Sequence, residues 1–208
     1  MGKAQANKER RRTARDAART LTLWHGGAAG LAVGDRLLPP THTNAIGNLA
    51  DLGMKESRRD RVYFTLDREL ARVFAAAVMR MTGASALYRV EPVGEMDLDP
   101  DFPAVGFQAK QARIVEVIET NITLTATEEL QRQRPYLVWT DDRHVYTEDG
   151  RVQINPTAAG LGFTQRDFDN LFPRWTPLSI VEDTIQQLLV DRQVSRRMSG
   201  NRPAGGAS

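Results

Sequence analysis

Apolar and polar positions along the chain follow two periods, one typical of strands and one typical of helices. Residues 21–25, 61–65, 86–92 and 112–119 are rich in β-branched and aromatic side chains, which predicts four strands. Between the second and third strands, one apolar series recurs at helical spacing: Leu66, Leu70, Val73, Phe74, Ala77, Val78 and Met81. Thr65 is predicted to cap this helix. The pattern therefore predicts a mixed α+β core.

The C-terminal third has a different pattern. PYLVWT, residues 135–140, predicts a strand, and residues 145–154 alternate around Asp149-Gly150, which predicts a β-hairpin. Helices are predicted near residues 164–172 and 177–195.

These patterns predict four regions along the chain. Residues 1–20 are predicted to be a basic, disordered leader and residues 21–123 the core. Residues 124–195 form an extension that is expected to pack on the core, because the apolar face of its last helix needs burial. Residues 196–208 are predicted to be a disordered tail.

Composition excludes several kinds of chemistry. The 208 residues contain no cysteine, which excludes disulfides, thiolate catalysis and cysteine-bound zinc. The three histidines lack the spacing of metal ligands, and no apolar run approaches the length needed to span a bilayer. We therefore expect a cytoplasmic protein that holds no metal and does not enter a membrane.

Charge is unevenly distributed. The leader carries a net charge of +5, and because the whole chain carries +2, the other residues carry about −3. Such a leader suits a nucleic acid or another polyanion. It is equally consistent with a solvated tail, since it lacks the aromatic residues that stack on bases.

Three short motifs have the residue types of a binding site. His25, Gly26 and Gly27 end the first strand, and glycine lets a main chain approach a flat ligand closely. Tyr63 lies in VYFT, and Asp99 follows VEPVGEMDL in an acidic turn at residues 94–103. Taken singly, each is more often structural than functional.

Taken in order, the motifs are similar to a known family. The blocks are HGG followed by VGDRL at 33–37, VYFTLD at 62–67, VEPVG at 90–94 followed by DLDPD, and IVEV at 114–117. This set resembles the rifampicin ADP-ribosyltransferase family, part of the diphtheria-toxin-like class with a His-Tyr-acidic triad. The resemblance covers about residues 21–120. Gly27 replaces the family's threonine, and the stretch that faces the acceptor is shortened, so the acceptor stays open.

The resemblance implies an ADP-ribosyltransferase-like fold, with a split pair of curved β-sheets around an NAD cleft. In such a cleft the backbone of Gly26 would hold the nicotinamide carboxamide, and Gly27 is a further cofactor-binding residue. His25 would bind the adenosine-ribose hydroxyls, and Tyr63 would stack on the nicotinamide. Asn44 matches a residue of the family's loop and is a further candidate for cofactor binding.

The same resemblance assigns the catalytic carboxylate to Asp99. A carboxylate stabilises the oxocarbenium-like transition state that forms when the glycosidic bond of NAD breaks. Asp97 and Glu116 are the alternatives, and His25 and Tyr63 complete the catalytic set.

The implied function is transfer of ADP-ribose from NAD to an acceptor, with release of nicotinamide. The acceptor could be a rifamycin-type antibiotic, a protein or a nucleic acid. The alternatives are an NAD glycohydrolase, in which water is the acceptor, and an inactive transferase-like module that binds nucleic acid or protein.

Overall fold

The computed structural model describes residues 21–43 and 58–200, and in these ranges the chain is mixed α+β. The described strands are β1 Leu23–Ala28, β2 Arg36–Leu37, β3 Val62–Thr65, β4 Ser85–Pro92, β5 Met96–Leu98, β6 Gly106–Ala109 and β7 Ala112–Thr120. The described helices are α1 Pro40–Thr43, α2 Arg68–Thr82, α3 Ala126–Gln133, α4 Pro156–Gly160, α5 Gln165–Leu171 and α6 Leu178–Gly200. The predicted leader and residues 201–208 of the predicted tail lie outside these ranges.

The seven described strands form one antiparallel sheet in the order β2-β7-β4-β1-β3-β6-β5. Strand β1 pairs with β4 along its whole length, from Leu23 opposite Val90 to Ala28 opposite Ser85. On its other edge, β1 pairs with β3 only where Trp24 lies opposite Thr65. The sheet is therefore continuous on one side of β1 and almost divided on the other.

Helix α2 covers one face of the sheet, and a large apolar cluster covers the other. The cluster on the second face includes Leu23, Phe64, Tyr88 and Ile114, all nearly inaccessible to solvent. The sheet residue Leu87 instead packs with α2 on the first face. The alternation of side chains along each strand produces the two layers.

The cap predicted for α2 is wrong. Thr65 is the last residue of β3, and its hydroxyl oxygen accepts a hydrogen bond from the Asp67 backbone N–H at 3.1 Å. The cap is Asp67, whose carboxylate accepts from the backbone N–H groups of Glu69 and Leu70. The helix therefore begins two residues later than a Thr65 cap would place it, and it ends at Gly83, a left-handed cap with φ of 79°.

The longer predicted strands are confirmed, and the short ones were missed. Strand β5 lies inside the segment 94–103 that was predicted to be a turn, while β2 and α1 lie inside a segment rich in turn-forming residues. Strand β6 was also not predicted. Strand β3 is equally short but was predicted because its residues are β-branched and aromatic. The missed strands contain no β-branched residue and are too short to show a period of two.

The chain divides into two compact units between Thr125 and Ala126. The C-terminal unit has its own apolar core, which includes Val145, Tyr146, Phe168 and Val181. No described helix in either unit is both long and apolar enough to cross a bilayer.

In the C-terminal unit, turns replace the predicted strands. The predicted strand at 135–140 is a 3₁₀ turn followed by a single bridge between Val138 and His144. The predicted hairpin is a turn closed by one bridge between Tyr146 and Val152. Helix α3 was not predicted, and α6 runs to Gly200, beyond the predicted end at residue 195.

Candidate functional site

A cavity of about 280 Å³ lies where β1 and β3 separate. Its wall includes the three residues of the predicted catalytic set, His25, Tyr63 and Asp99, together with Gly26 and Gly27. These residues come from β1, from β3 and from the turn after β5. The fold thus brings together side chains that are up to 74 residues apart in the sequence.

The backbone ladder stops where the predicted motif begins. If the pairing of Trp24 with Thr65 continued, Gly26 would lie opposite Tyr63, but no pairing beyond Trp24 is formed. The Tyr63 carbonyl instead accepts a hydrogen bond from Nδ1 of His25 at 2.7 Å. A side chain thus satisfies the carbonyl that a sheet ladder would otherwise use.

This hydrogen bond fixes the protonation of His25. A carbonyl oxygen can only accept, so Nδ1 carries the proton. Desolvation lowers the pKa of His25 from its ordinary 6.5, and the hydrogen bond to Tyr63 only partly opposes this effect. The ring is therefore neutral at pH 7, and Nε2 is left as a hydrogen-bond acceptor. The ring of Tyr88 stacks against it, with the ring centroids 6.3 Å apart.

A side chain added at the two glycines of the motif would contact different groups. A Cβ on Gly26 would lie 1.8 Å from the Ala71 carbonyl oxygen of α2, so Gly26 allows the helix to pack closely on β1. A Cβ on Gly27 would lie 2.4 Å from Nε2 of His25. Glycine at 27 is therefore compatible with this position of the imidazole, whereas a threonine there would displace it.

Tyr63 is partly buried in the cavity wall. Its hydroxyl oxygen accepts a hydrogen bond from the backbone N–H of Arg58. This contact holds the phenol ring at its outer end, while its backbone carbonyl is held by His25. The residue is thus fixed at both ends beside the opening of the sheet.

Asp99 is only 5% exposed, and its carboxylate has few partners to stabilise its charge. Its Oδ1 accepts from the Asp101 backbone N–H at 3.0 Å, and its own N–H donates to the Gly106 carbonyl at 2.9 Å. Burial raises the pKa of Asp99 above its ordinary 3.8, opposed in part by the hydrogen bond from Asp101. A buried carboxylate beside a cavity can stabilise a cation more strongly than an exposed one.

The alternatives to Asp99 lie elsewhere. Asp97 is exposed on β5 and is not part of the cavity wall. Glu116 on β7 is paired with Arg89 at 3.0 Å, and its side chain is 53% exposed. Among the three predicted carboxylates, the cavity contains Asp99. Asn44 lies outside the described residues.

The prediction missed two arginines that line the same cavity, Arg36 and Arg61. Arg61 directly precedes β3 and carries a side chain that is only 14% exposed. The available signal was a charged residue at the edge of the apolar stretch RVYFT. Apart from these groups, the wall is mostly apolar and includes Leu70 and Phe74 of α2.

Comparison with known proteins adds no relative. No family model matches the chain. No curated protein matches it significantly. Over the described ranges, no three His, Asp or Glu side chains are grouped so that they could hold a metal ion.

Proposed function

We propose that the chain is an NAD-dependent ADP-ribosyltransferase, which moves ADP-ribose from NAD to an acceptor and releases nicotinamide. One observation carries the proposal. His25, Tyr63 and Asp99, assigned separately from three sequence blocks, line one cavity at the opening between β1 and β3. The near-division of the sheet at that point also supports the split-sheet fold that the resemblance implies.

Each side chain has a chemical role in this reaction. Nε2 of His25 accepts a hydrogen bond from a ribose hydroxyl of NAD, which the neutral Nδ1–H form permits. The ring of Tyr63 stacks on the cationic nicotinamide, and an aromatic face favours that charge. Both groups orient the dinucleotide before any bond breaks.

The chemical step creates a positive charge that the carboxylate of Asp99 can stabilise. The bond between the ribose C1′ and the nicotinamide nitrogen breaks, and its electron pair leaves with nicotinamide. Positive charge develops on the ribose, where the ionised carboxylate of Asp99 stabilises it. The acceptor then bonds to C1′ and loses a proton. Because the pKa of Asp99 is raised, the rate should increase as the pH rises through that pKa.

The test is nicotinamide release from NAD by the purified protein, alone and with rifampicin, tRNA or a cell lysate. The variants His25→Ala and Tyr63→Ala should slow release roughly 10- to 100-fold, because each removes a group that orients NAD. His144→Ala, an exposed histidine of the C-terminal unit, is the matched control and should retain it.

The additive that accelerates release identifies the class of acceptor. Release that no additive accelerates would identify water as the acceptor and the protein as a glycohydrolase. Absence of release under every condition, together with absence of NAD binding, would contradict the enzyme proposal.

A further inference from the structure

Arg61 is a largely buried cation, and one of its nitrogens has no hydrogen-bond partner among the described residues. Its side chain is 14% exposed, and Arg61 lines the cavity. Its Nη1 atom is buried and makes no hydrogen bond within the described ranges. Buried polar atoms are seldom left unpaired, because desolvation of a charged group is costly. The arrangement therefore suits a partner that the described residues do not supply.

The nearest acidic residue does not fill this role. Asp60 Oδ2 lies 3.7 Å from Arg61 Nη1, which is too far for a hydrogen bond. Asp60 is instead held by Arg58 through two hydrogen bonds, at 3.0 and 2.9 Å. The hydrogen bond from Arg58 is also the main cause of the lowered pKa of Asp60. Asp60 is thus held mainly by Arg58, and its longer ion-pair contact with Arg61 leaves Nη1 of Arg61 without a hydrogen bond.

The cavity as a whole favours an anion. Arg36 is the second arginine on its wall, and it donates to the neutral side chain of Gln111 at 3.2 Å. Asp99 is the one carboxylate among the described residues of the wall. Among the described residues of the wall, two guanidinium groups thus outnumber one carboxyl, and this excess of positive charge favours an anion. Guanidinium is also the side-chain group whose geometry matches phosphate oxygens best.

We propose that Arg61 binds the diphosphate of a nucleotide ligand in this cavity. For NAD this assignment rests on the proposed function, whereas binding of a diphosphate does not require turnover. Arg61 directly precedes β3 and lies two residues before Tyr63. Both residues line the cavity, so the cation and the aromatic ring are placed to contact neighbouring parts of one ligand.

The test is calorimetric titration of the full chain with ADP-ribose, ADP and inorganic pyrophosphate. Arg61→Gln should weaken binding of ADP-ribose and ADP roughly 10- to 100-fold, because a charge-assisted hydrogen bond is lost. Arg61→Lys keeps the charge without the planar fork and should give an intermediate loss. Arg59→Gln, which removes an exposed arginine two positions away, is the matched control and should bind like the wild type.

Each outcome decides the inference. Equal affinity of Arg61→Gln and Arg59→Gln for ADP-ribose would overturn it, as would a wild-type protein that binds none of the three ligands. If Arg61→Gln does not fold, as judged by circular dichroism, two other experiments test the inference. They are the titration of Arg61→Lys and the competition of pyrophosphate with ADP-ribose for the wild-type protein. Failure of millimolar pyrophosphate to displace ADP-ribose, with full affinity in Arg61→Lys, would then overturn it.

The inference and the proposed function can fail separately. ADP binding that depends on Arg61, in a protein that releases no nicotinamide from NAD, would support the diphosphate site and contradict the transferase. Nicotinamide release that is unchanged in Arg61→Gln would support the transferase and overturn the diphosphate site.

Discussion

The two units of the chain differ in whether all their buried polar side-chain atoms have hydrogen-bond partners. In the C-terminal unit, the Tyr146 hydroxyl donates to the Thr176 carbonyl at 2.6 Å, and Trp139 Nε1 donates to the Gln153 carbonyl at 2.9 Å. Over the described ranges, three buried side-chain atoms have no hydrogen-bond partner, and all belong to the N-terminal unit: Arg61 Nη1, Arg72 Nε and Gln108 Oε1. Among the described residues, the unsatisfied buried hydrogen-bonding atoms thus lie in the N-terminal unit, and the C-terminal unit has none.

The difference suggests separate roles for the units. Matched buried polar groups stabilise a fold, whereas an unmatched group beside a cavity is costly until a ligand binds. The N-terminal unit also leaves a sheet ladder open and holds a buried carboxylate with a raised pKa. Such departures from maximal stability are typical of functional sites. We therefore expect changes at the cavity to alter turnover and changes in the C-terminal core to alter stability.

Asp99→Asn should have the largest effect on turnover and should separate it from stability. Removing the carboxylate should lower the rate of nicotinamide release about 100- to 1,000-fold, as for loss of one preorganised electrostatic group. Asparagine keeps an oxygen that can accept from the Asp101 N–H, so the turn should persist. Asp97→Asn, an exposed neighbour, is the control and should retain release.

The same variant should be more stable than the wild type at neutral pH. Because the folded pKa of Asp99 is raised above 3.8, its contribution to stability is fully present below that value and is lost as pH rises through the folded pKa. Asparagine does not ionise and avoids this loss. Thermal melts from pH 4 to 8 should show the variant gaining roughly 1–3 °C over the wild type towards neutral pH. A variant that melts lower at every pH would contradict the account of Asp99.

Gly27→Thr should reduce turnover less, through His25. The added Cβ would collide with Nε2 and displace the imidazole from the Tyr63 carbonyl, which should lower kcat/KM for NAD about 10-fold. The effect should vanish in a His25→Ala background, because no imidazole is left to displace. An equal loss in both backgrounds would show that Gly27 acts by another route.

Tyr63→Phe should have a small effect, because the proposed role of Tyr63 requires its ring face rather than its hydroxyl. The variant loses the hydrogen bond with the Arg58 N–H and should change kcat/KM by less than about threefold. Tyr63→Ala removes the ring and should lower it roughly 10- to 100-fold. Steady-state kinetics with NAD measure both variants. Similar losses in the two would assign the role to the hydroxyl.

Gly150→Ala should leave turnover unchanged and lower stability. Gly150 has φ of 85°, and an added Cβ would lie 2.3 Å from the ring of Trp175. We expect a loss of about 1–3 kcal/mol in the free energy of unfolding, measured by urea denaturation. Measured below its melting temperature, kcat/KM should match that of the wild type. A comparable fall in turnover would show that the roles of the two units are not separate.

The sequence predicted the elements that are long enough to show a period. The bounds of strand β4 and helix α2 were predicted to within a few residues, because apolar side chains recur regularly along each element. Strand β5 was not predicted, because its three residues, with Asp97 at the centre, look like part of an acidic turn until β6 pairs with them.

The candidate site was predicted only in part, for a similar reason. The order of the motifs selected His25, Tyr63 and Asp99, which line one cavity, and assigned Gly26 to close approach of a ligand. The side of Gly26 on which a Cβ would lie contacts α2, and this contact depends on how the helix packs on the sheet. Arg61 was missed because its significance lies in the pairing of Asp60 with Arg58, which only three-dimensional geometry reveals.

The most direct measurement of the central claim is the ¹⁵N chemical shift of the histidine ring nitrogens during titration with NAD. The account predicts a neutral Nδ1–H form of His25 at pH 7 and a shift of its Nε2 signal as NAD binds. His144 of the C-terminal unit is the internal reference and should not shift. A His25 signal of the Nε2–H or doubly protonated form, or one that does not move at saturating NAD, would contradict the account.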